Sequence, residues 1–498
     1  MKKLLALALG AMLWTVLACP AEAQENVKIS GWYRVLHHNL VNFNRAAVGD
    51  YVQSDSFFEN RLNVNFDFTP TEDILIHWTL RAPNYHRWGA TTGQQGSTNA
   101  YQVWTRAIYA TIKQDWGSLS IGRLEQEFPT SMNGLKTLGY SYGTTYVYAN
   151  PFDFKQVADG ISYTYNMDNG FGVNVYYAKY ATQDPDNSVA NGTNEKDVDF
   201  DRFGVEPTYK WDGGAASLNI EYARDMRDGN AAALNRPGYY ANTKTDKDYA
   251  FFINPAIMQS WGDFSIRFEG KIGWGETTLR STIDNKRDKV KREGLGLYLQ
   301  ATYKYGAGDI NLMGWFADGS SLDERGFPYK RTQHDLVGMG DFAPFLVAYY
   351  ENNLGNRVSR LPGGNNLYDN SIYGSPATRG RLGTRTVGTA TGTNHWGLGL
   401  LGNHNFSDAI RLNWGIGYFR LVEEDFLGQN KNLGVEVDLG IRIRLLQGVT
   451  FESQFGYMFN GDAWESNGSG DGSRANPYRD LRDAKDTYAW LNALQFAF

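Results

Sequence analysis

The residue groups with the strongest claim to chemistry are few, and their surroundings decide against most of them. Gly139-Tyr140-Ser141-Tyr142-Gly143 has the spacing of a nucleophile elbow, which exposes a serine on a strained turn between a strand and a helix. No helical pattern follows it, so a serine hydrolase is not expected. Gly397-Leu398-Gly399-Leu400-Leu401-Gly402 has the spacing of a dinucleotide fingerprint, but that motif works by opening a helix within a βαβ unit, and none follows. Its alternating glycines read more simply as one smooth face of a strand, as Gly294 and Gly296 do. The seven histidines show no metal-ligand spacing. Acidic stretches such as Asp462–Asp471 and Asp184–Asp186 offer carboxylates of the kind Ca²⁺ takes; a solvated loop explains them better, and no cofactor or metal is expected. A hydrolase would need a Ser/His pair at one end of the fold. His395 and His404 are the late histidines placed near an end, and no serine is clearly set beside either.

What the sequence does arrange is charge on one face of an extended chain. From Leu433 to Leu445 the odd positions are Leu, Val, Val, Leu, Ile, Ile and Leu, and Glu436, Asp438, Arg442 and Arg444 fall between them. Successive side chains of a strand point to opposite faces, so one face here is wholly apolar and the other charged. A period of two dominates from Val27 onward, and helical periodicity is hard to find. The pattern gives eighteen strands between 27 and 498, with sixteen to twenty allowed, because His334–Tyr350 has room for a further hairpin. Every second connection is tight, as in Asp115-Trp116-Gly117, Asp212-Gly213-Gly214 and Gln447-Gly448, and the others are mostly long and polar, up to 318–394.

Short turns on one rim and long loops on the other are the pattern of a transmembrane antiparallel β-barrel with periplasmic turns and extracellular loops. The fold class is therefore all-β. The aromatic content of 14% and the 55 glycines suit it. No run past the N-terminus is long and apolar enough for a membrane helix, and the net charge of −6 argues against nucleic acid as a partner. Lys2 and Lys3, the apolar stretch Leu4–Leu17 and Ala21-Glu22-Ala23 form a secretory signal, so residues 1–23 are expected to be removed and 24–498 to form one barrel. The single cysteine, Cys19, lies in that signal; Val16-Leu17-Ala18-Cys19 loosely resembles a lipoprotein box, which would keep it lipidated instead. Tyr488, Trp490, Leu494, Phe496 and Phe498 alternate to a terminal phenylalanine. This resembles the C-terminal signal that bacterial outer-membrane proteins present to the barrel-assembly machinery, and it implies an outer-membrane location with lipid and lipopolysaccharide as neighbours.

Eighteen strands enclose more space than wall side chains fill, and the first strand starts too soon after the signal to leave room for a plug domain, so an aqueous channel is expected. The face opposite each apolar stripe gives its lining. The basic members are Lys28, Arg34, Arg61, Arg81, Arg202, Lys210, Arg267, Lys271, Arg292, Lys304, Arg411, Arg442 and Arg444. The acidic members are Asp67, Glu206, Glu221, Asp225, Glu269, Glu436, Asp438 and Glu452. The basic surplus favours a modest anion preference, unless the charges pair across strands, as Arg442 would with Glu452. The loop 124–158 is the candidate constriction, with Glu125, Glu127, Lys136 and Asp153 to set its charge; Asp115-Trp116-Gly117 through Arg123 resembles the stretch that enters the folded-in loop of general porins. Strict alternation turns Arg123 toward lipid, and a bulge at Gly122 would turn it inward. Trp32, Trp78, Trp274, Tyr303, Tyr305, Trp396, Trp414 and Tyr457 suit interfacial aromatic girdles.

As a whole the chain resembles bacterial porins, most closely the outer-membrane homotrimeric porins of sulfate-reducing and related bacteria. The resemblance rests on Val27-Lys28-Ile29-Ser30-Gly31, Glu59-Asn60-Arg61-Leu62, Trp78-Thr79-Leu80-Arg81-Ala82 and the terminal Phe498. It implies a homotrimer and passive diffusion of small hydrophilic solutes, without catalysis. A substrate-specific channel for sugars or polysaccharides is the alternative, which a ladder of lumen aromatics or a saturable site would mark. An adhesive role for the 318–394 loop is compatible with either.

Overall fold

The computed structural model describes residues 26–41, 55–87, 103–128, 154–182, 199–225, 243–281, 287–319, 332–334, 337, 345–347, 395–423, 431–462 and 486–498. The strands are β1 (Val27–Val41), β2 (Asp55–Thr71), β3 (Ile74–Arg87), β4 (Trp104–Gln114), β5 (Gly117–Phe128), β6 (Phe154–Asn166), β7 (Phe171–Thr182), β8 (Asp199–Trp211) and β9 (Gly214–Asp225). They continue with β10 (Thr243–Trp261), β11 (Phe264–Ser281), β12 (Arg287–Tyr305), β13 (Gly308–Ala317), β14 (Thr332–His334), β15 (His395–Asn405), β16 (Ile410–Leu421), β17 (Asn432–Leu446), β18 (Val449–Asn460) and β19 (Thr487–Ala497).

Eighteen of these pair antiparallel with their sequence neighbours, and β19 pairs with β1 to close the ring. The C-terminus makes the seam: Phe498 N donates to Gly31 O at 3.0 Å and Gly31 N donates to Phe498 O at 2.8 Å. Closure leaves no edge amide facing hydrocarbon, where each unpaired group would cost several kcal/mol. The eight connections read as tight are tight, and Gly213, at φ +73°, takes the left-handed turn that a residue with a Cβ resists. The strand β14 is not part of the wall. It runs parallel to the overhanging end of β12, with Arg292 opposite Gln333, so among the described residues 332–347 add no hairpin to the barrel and the wall keeps eighteen strands.

Alternation sorts the faces as the pattern requires: Val437 and Leu439 stand outward while Glu436 and Asp438 are buried inward. Two positions differ from strict alternation or from the expected face. Leu433 is buried on the inner side, because a bulge opposite Phe419–Arg420, with Gly434 at φ +122°, shifts the register by one residue. Trp32 is not a girdle residue: it pairs with Asn63 on the inner face, and Arg34 lies 5.1 Å from its ring centre. Arg123 stays on the outer face opposite Ile108, despite the positive φ of Gly122, and its Nη1 reaches Asp159 Oδ1 at 3.5 Å. The other seven aromatics assigned to girdles stand on the outer face.

The proposed constriction loop is shorter than 124–158. Leu124 to Phe128 prolong β5 in register with Phe154–Ala158 of β6. Glu125 and Glu127 are therefore strand residues, while Lys136 and Asp153 lie outside the described residues, as do residues 1–25 and the 139–143 motif.

Candidate channel lumen and constriction

The inner wall divides into three sectors. On β1–β3, Arg34 and Arg61 sit directly opposite each other, and Arg81 Nε donates to Asn63 Oδ1 at 2.8 Å. Two like charges at facing positions repel rather than stabilise, so this sector holds concentrated positive charge. Lys28, nearer the periplasmic end, faces Asp67 across β2. On β7–β12 basic and acidic groups interleave. Arg202 pairs with Glu221 at 3.2 Å, Tyr176 Oη donates to Glu221 Oε2 at 2.7 Å, and Arg267 is ion-paired with Glu269. Lys271 Nζ stands 4.7 Å from the Phe252 ring centre, a cation–π distance. Lys210 is on the inner face but exposed near the periplasmic turn.

On the far sector, β13–β18, the wall is built from glycine, aromatics and carboxylates, and a segment of the 318–394 loop lies on it. Val337 is fully buried against Gly294 and Gly273. Phe345 then enters a cradle between Gly399 and Gly417, where Cβ atoms would stand 2.9 and 2.5 Å from its ring. Trp315 and Phe419 complete the cradle, with ring centres 6.2 and 5.2 Å from Phe345. Leu346 N donates to Asp438 Oδ2 at 3.0 Å, and Val347 N donates to Glu436 Oε1 at 2.5 Å. Gly456 of β18 makes room for Leu346 and Val347. The described contacts thus run from β11 to β18, and Val337 with Phe345–Val347 form the described part of an inner strap on this wall.

Elementary terms show why the strap holds. Burying a phenylalanine side chain stabilises by roughly 1.5–3 kcal/mol, and a hydrogen bond to a charged group contributes about 1.5–3 kcal/mol. Both require a wall without Cβ atoms at the contact and two carboxylates spaced by two residues, which the pleat puts on one face.

Glu436 and Asp438, assigned from the sequence to the channel lining, stand on the inner face, where they accept from the backbone of the strap. Arg442 and Glu452 do pair, at 3.3 Å, in the register anticipated. Arg411 faces Arg442, and its Nε donates to Asn413 Oδ1 at 3.1 Å. Arg444 is exposed near the periplasmic rim. The strap residues themselves were missed. Their signals were the lumen-facing glycines, read as a smooth wall, and Trp315 and Phe419, which put aromatic bulk where alternation calls for polarity. His395 is buried on the inner face, and among the described residues no group of three His, Cys, Asp or Glu side chains is placed to hold a metal.

A family model described as Gram-negative porin matches residues 6–424. No curated protein matches the chain. Several solved structures are similar along most of its length. The Pseudomonas aeruginosa outer membrane protein opdK is 10% identical, with 95% of this chain and 99% of that chain covered and a TM-score of 0.47. The anion-selective porin from Comamonas acidovorans is 11% identical with the same coverage and a TM-score of 0.39. The outer membrane protein OmpT of Vibrio cholerae, in a trimer form, is 10% identical, again with 95% and 99% covered, at a TM-score of 0.36.

Proposed function

The chain belongs to the Gram-negative porin family and forms an outer-membrane channel, and we propose that it passes small hydrophilic solutes by passive diffusion with a mild preference for anions. The observation that carries the preference is the cluster of arginines on the inner face of β1–β3, where Arg34 faces Arg61 and Arg81 stands on the next strand beside Asn63. A wall on which basic side chains cluster raises the local concentration of anions. Solutes cross without chemistry or a bound cofactor. Residues 1–23 act as the cleaved signal, Phe498 presents the last strand for assembly, and the mature barrel works as a homotrimer amid outer-membrane lipid and lipopolysaccharide. The homotrimer is what the resemblance of the sequence to homotrimeric porins implies. Liposome swelling with size-matched neutral and anionic solutes tests the preference: faster entry of the anion is expected, and equal or slower entry rejects it.

A second reading, a substrate-specific channel, draws support from the inner-face aromatics Trp32, Phe252 and Tyr298. It predicts that a sugar or aromatic carboxylate blocks ion current saturably, whereas a general porin shows current falling only with the solute's bulk effect on conductivity.

A further inference from the structure

Two prolines stand inside strands of the wall, where the missing amide proton removes a ladder bond. Pro207 of β8 and Pro255 of β10 flank the same stretch of β9, and both lie on the outward columns. Between β8 and β9 the pairs Val205–Ile220 and Thr208–Ser217 bracket a gap at Glu206 and Pro207. Between β10 and β11 the pairs Ile253–Ile272 and Ala256–Glu269 bracket another at Asn254 and Pro255. The residue before each proline turns inward, so Glu206 and Asn254 face the lumen on either side of Asn219, which pairs directly with Asn254. Ser217 stands two residues along the same face of β9. Asn254 is 6% exposed and Ser217 7%, and Asn254 Oδ1 and Ser217 Oγ are buried without a hydrogen-bond partner. A buried acceptor without a donor carries an uncompensated desolvation penalty. This patch therefore departs from local rules twice, in its ladder and in its polar atoms, and such departures belong to functional sites.

The chemistry of the niche selects the solute. Asn254 Oδ1 needs a donor, and Ser217 Oγ both donates and accepts. A carboxylate or other anion only accepts, so it cannot satisfy Asn254. A cation meets Lys271, which the bracketing pairs set across from Asn254. An uncharged molecule with adjacent hydroxyls brings a donor and an acceptor to each position. We infer that Ser217, Asn219 and Asn254 form a binding subsite for neutral polyhydroxylated solutes, the chemical class of sugars, on the inner wall of β9 and β10. Asn219 is already oriented: its Nδ2 donates to Tyr176 Oη at 3.3 Å, and Tyr176 Oη donates to Glu221 Oε2 at 2.7 Å. Amides continue along the wall toward the periplasmic turns, where Gln300 Nε2 donates to Asn311 Oδ1 at 2.8 Å and Asn403 faces Asn413. Solutes reach the subsite from the lumen, since the other face of these strands meets lipid. The inference rests on the channel reading and goes beyond its anion preference: the arginines of β1–β3 serve anions, and this wall serves uncharged solutes.

The test is ion current through the purified protein in a planar bilayer, with maltotriose on one side or, as control, a polyethylene glycol dimethyl ether of equal hydrodynamic radius, which has no hydroxyl. The current is expected to fall saturably with maltotriose and only in step with bulk conductivity with the ether. Ser217→Ala with Asn254→Leu should raise the half-blocking concentration about tenfold, the loss of two hydrogen bonds. Ser217→Ala alone, which removes one oxygen and adds no bulk, should raise it by a smaller factor and serves where the double variant fails to insert. A proportional fall with both solutes, or an unchanged half-blocking concentration in a conducting variant, overturns the inference. The failures separate cleanly: a wild-type protein that never conducts sinks the channel reading, and a conducting one without saturable block sinks the subsite alone.

Discussion

The lumen wall at β1–β3 and the wall at β13–β18 use the same alternation to opposite ends. The first presents arginines inward, with Arg34 facing Arg61 and Arg81 held by Asn63. The second presents glycines, Trp315, Phe419 and two carboxylates, and covers them with Val337 and Phe345–Val347. The lesson is that an inward-facing charge need not face the solute. On the strapped wall Glu436 and Asp438 hold backbone, and their field is spent on two amides. On β1–β3 the inward charge is basic, and Arg34 and Arg81 are themselves buried among their neighbours.

The comparison is tested hardest by reversing the charge of the β1–β3 wall. Replacing Arg34, Arg61 and Arg81 together by glutamate should move the reversal potential in a salt gradient through zero to the cation-selective sign. An unchanged sign would mean that these side chains do not set the field of the pathway. Next in size is release of the strap. Phe345→Ala removes the ring from its cradle at a cost of about 3 kcal/mol, on the order of a hundredfold in the docked-to-undocked ratio. Single-channel conductance should rise and flicker; a quiet channel of native conductance would show that the strap is not a constriction.

A finer cut is Glu436→Gln with Asp438→Asn. If the carboxylates belong to the strap, this variant loses about 1 kcal/mol or more at each bond, so open-channel noise grows while selectivity shifts little, although two negative charges are gone. A large gain in anion preference would return both groups to the solute pathway. The smallest effect is expected for Arg442→Glu with Arg444→Glu. Arg442 is already engaged by Glu452 and Arg444 lies by the rim, so anion preference should fall only slightly. A shift as large as that of the Arg34, Arg61 and Arg81 variant would erase the distinction between the walls.

How much of this was legible follows from what alternation encodes. A period of two fixes which face a side chain takes, so the barrel, its tight turns and the Arg442–Glu452 register could be read directly. It carries no information about what comes to lie on that face, so Glu436 and Asp438 were assigned to the lumen and not to the strap. It also fails wherever a residue is inserted: the bulge at Gly434 turns Leu433 inward, and nothing in the local pattern announces it. The strap was legible only as an anomaly spread over distant strands. Gly273, Gly294, Gly399, Gly417 and Gly456 are far apart in sequence, and they become one cradle only after the barrel has closed. Attention went instead to 124–158, whose first residues proved to be strand.

The most direct test of the central claim is the wild-type channel itself, reconstituted in a planar bilayer under a salt gradient. The account predicts discrete conductance steps with a reversal potential of the anion-selective sign. A reversal potential at zero or of the cation-selective sign would contradict it, because the arginines of β1–β3 would then not govern what the channel admits.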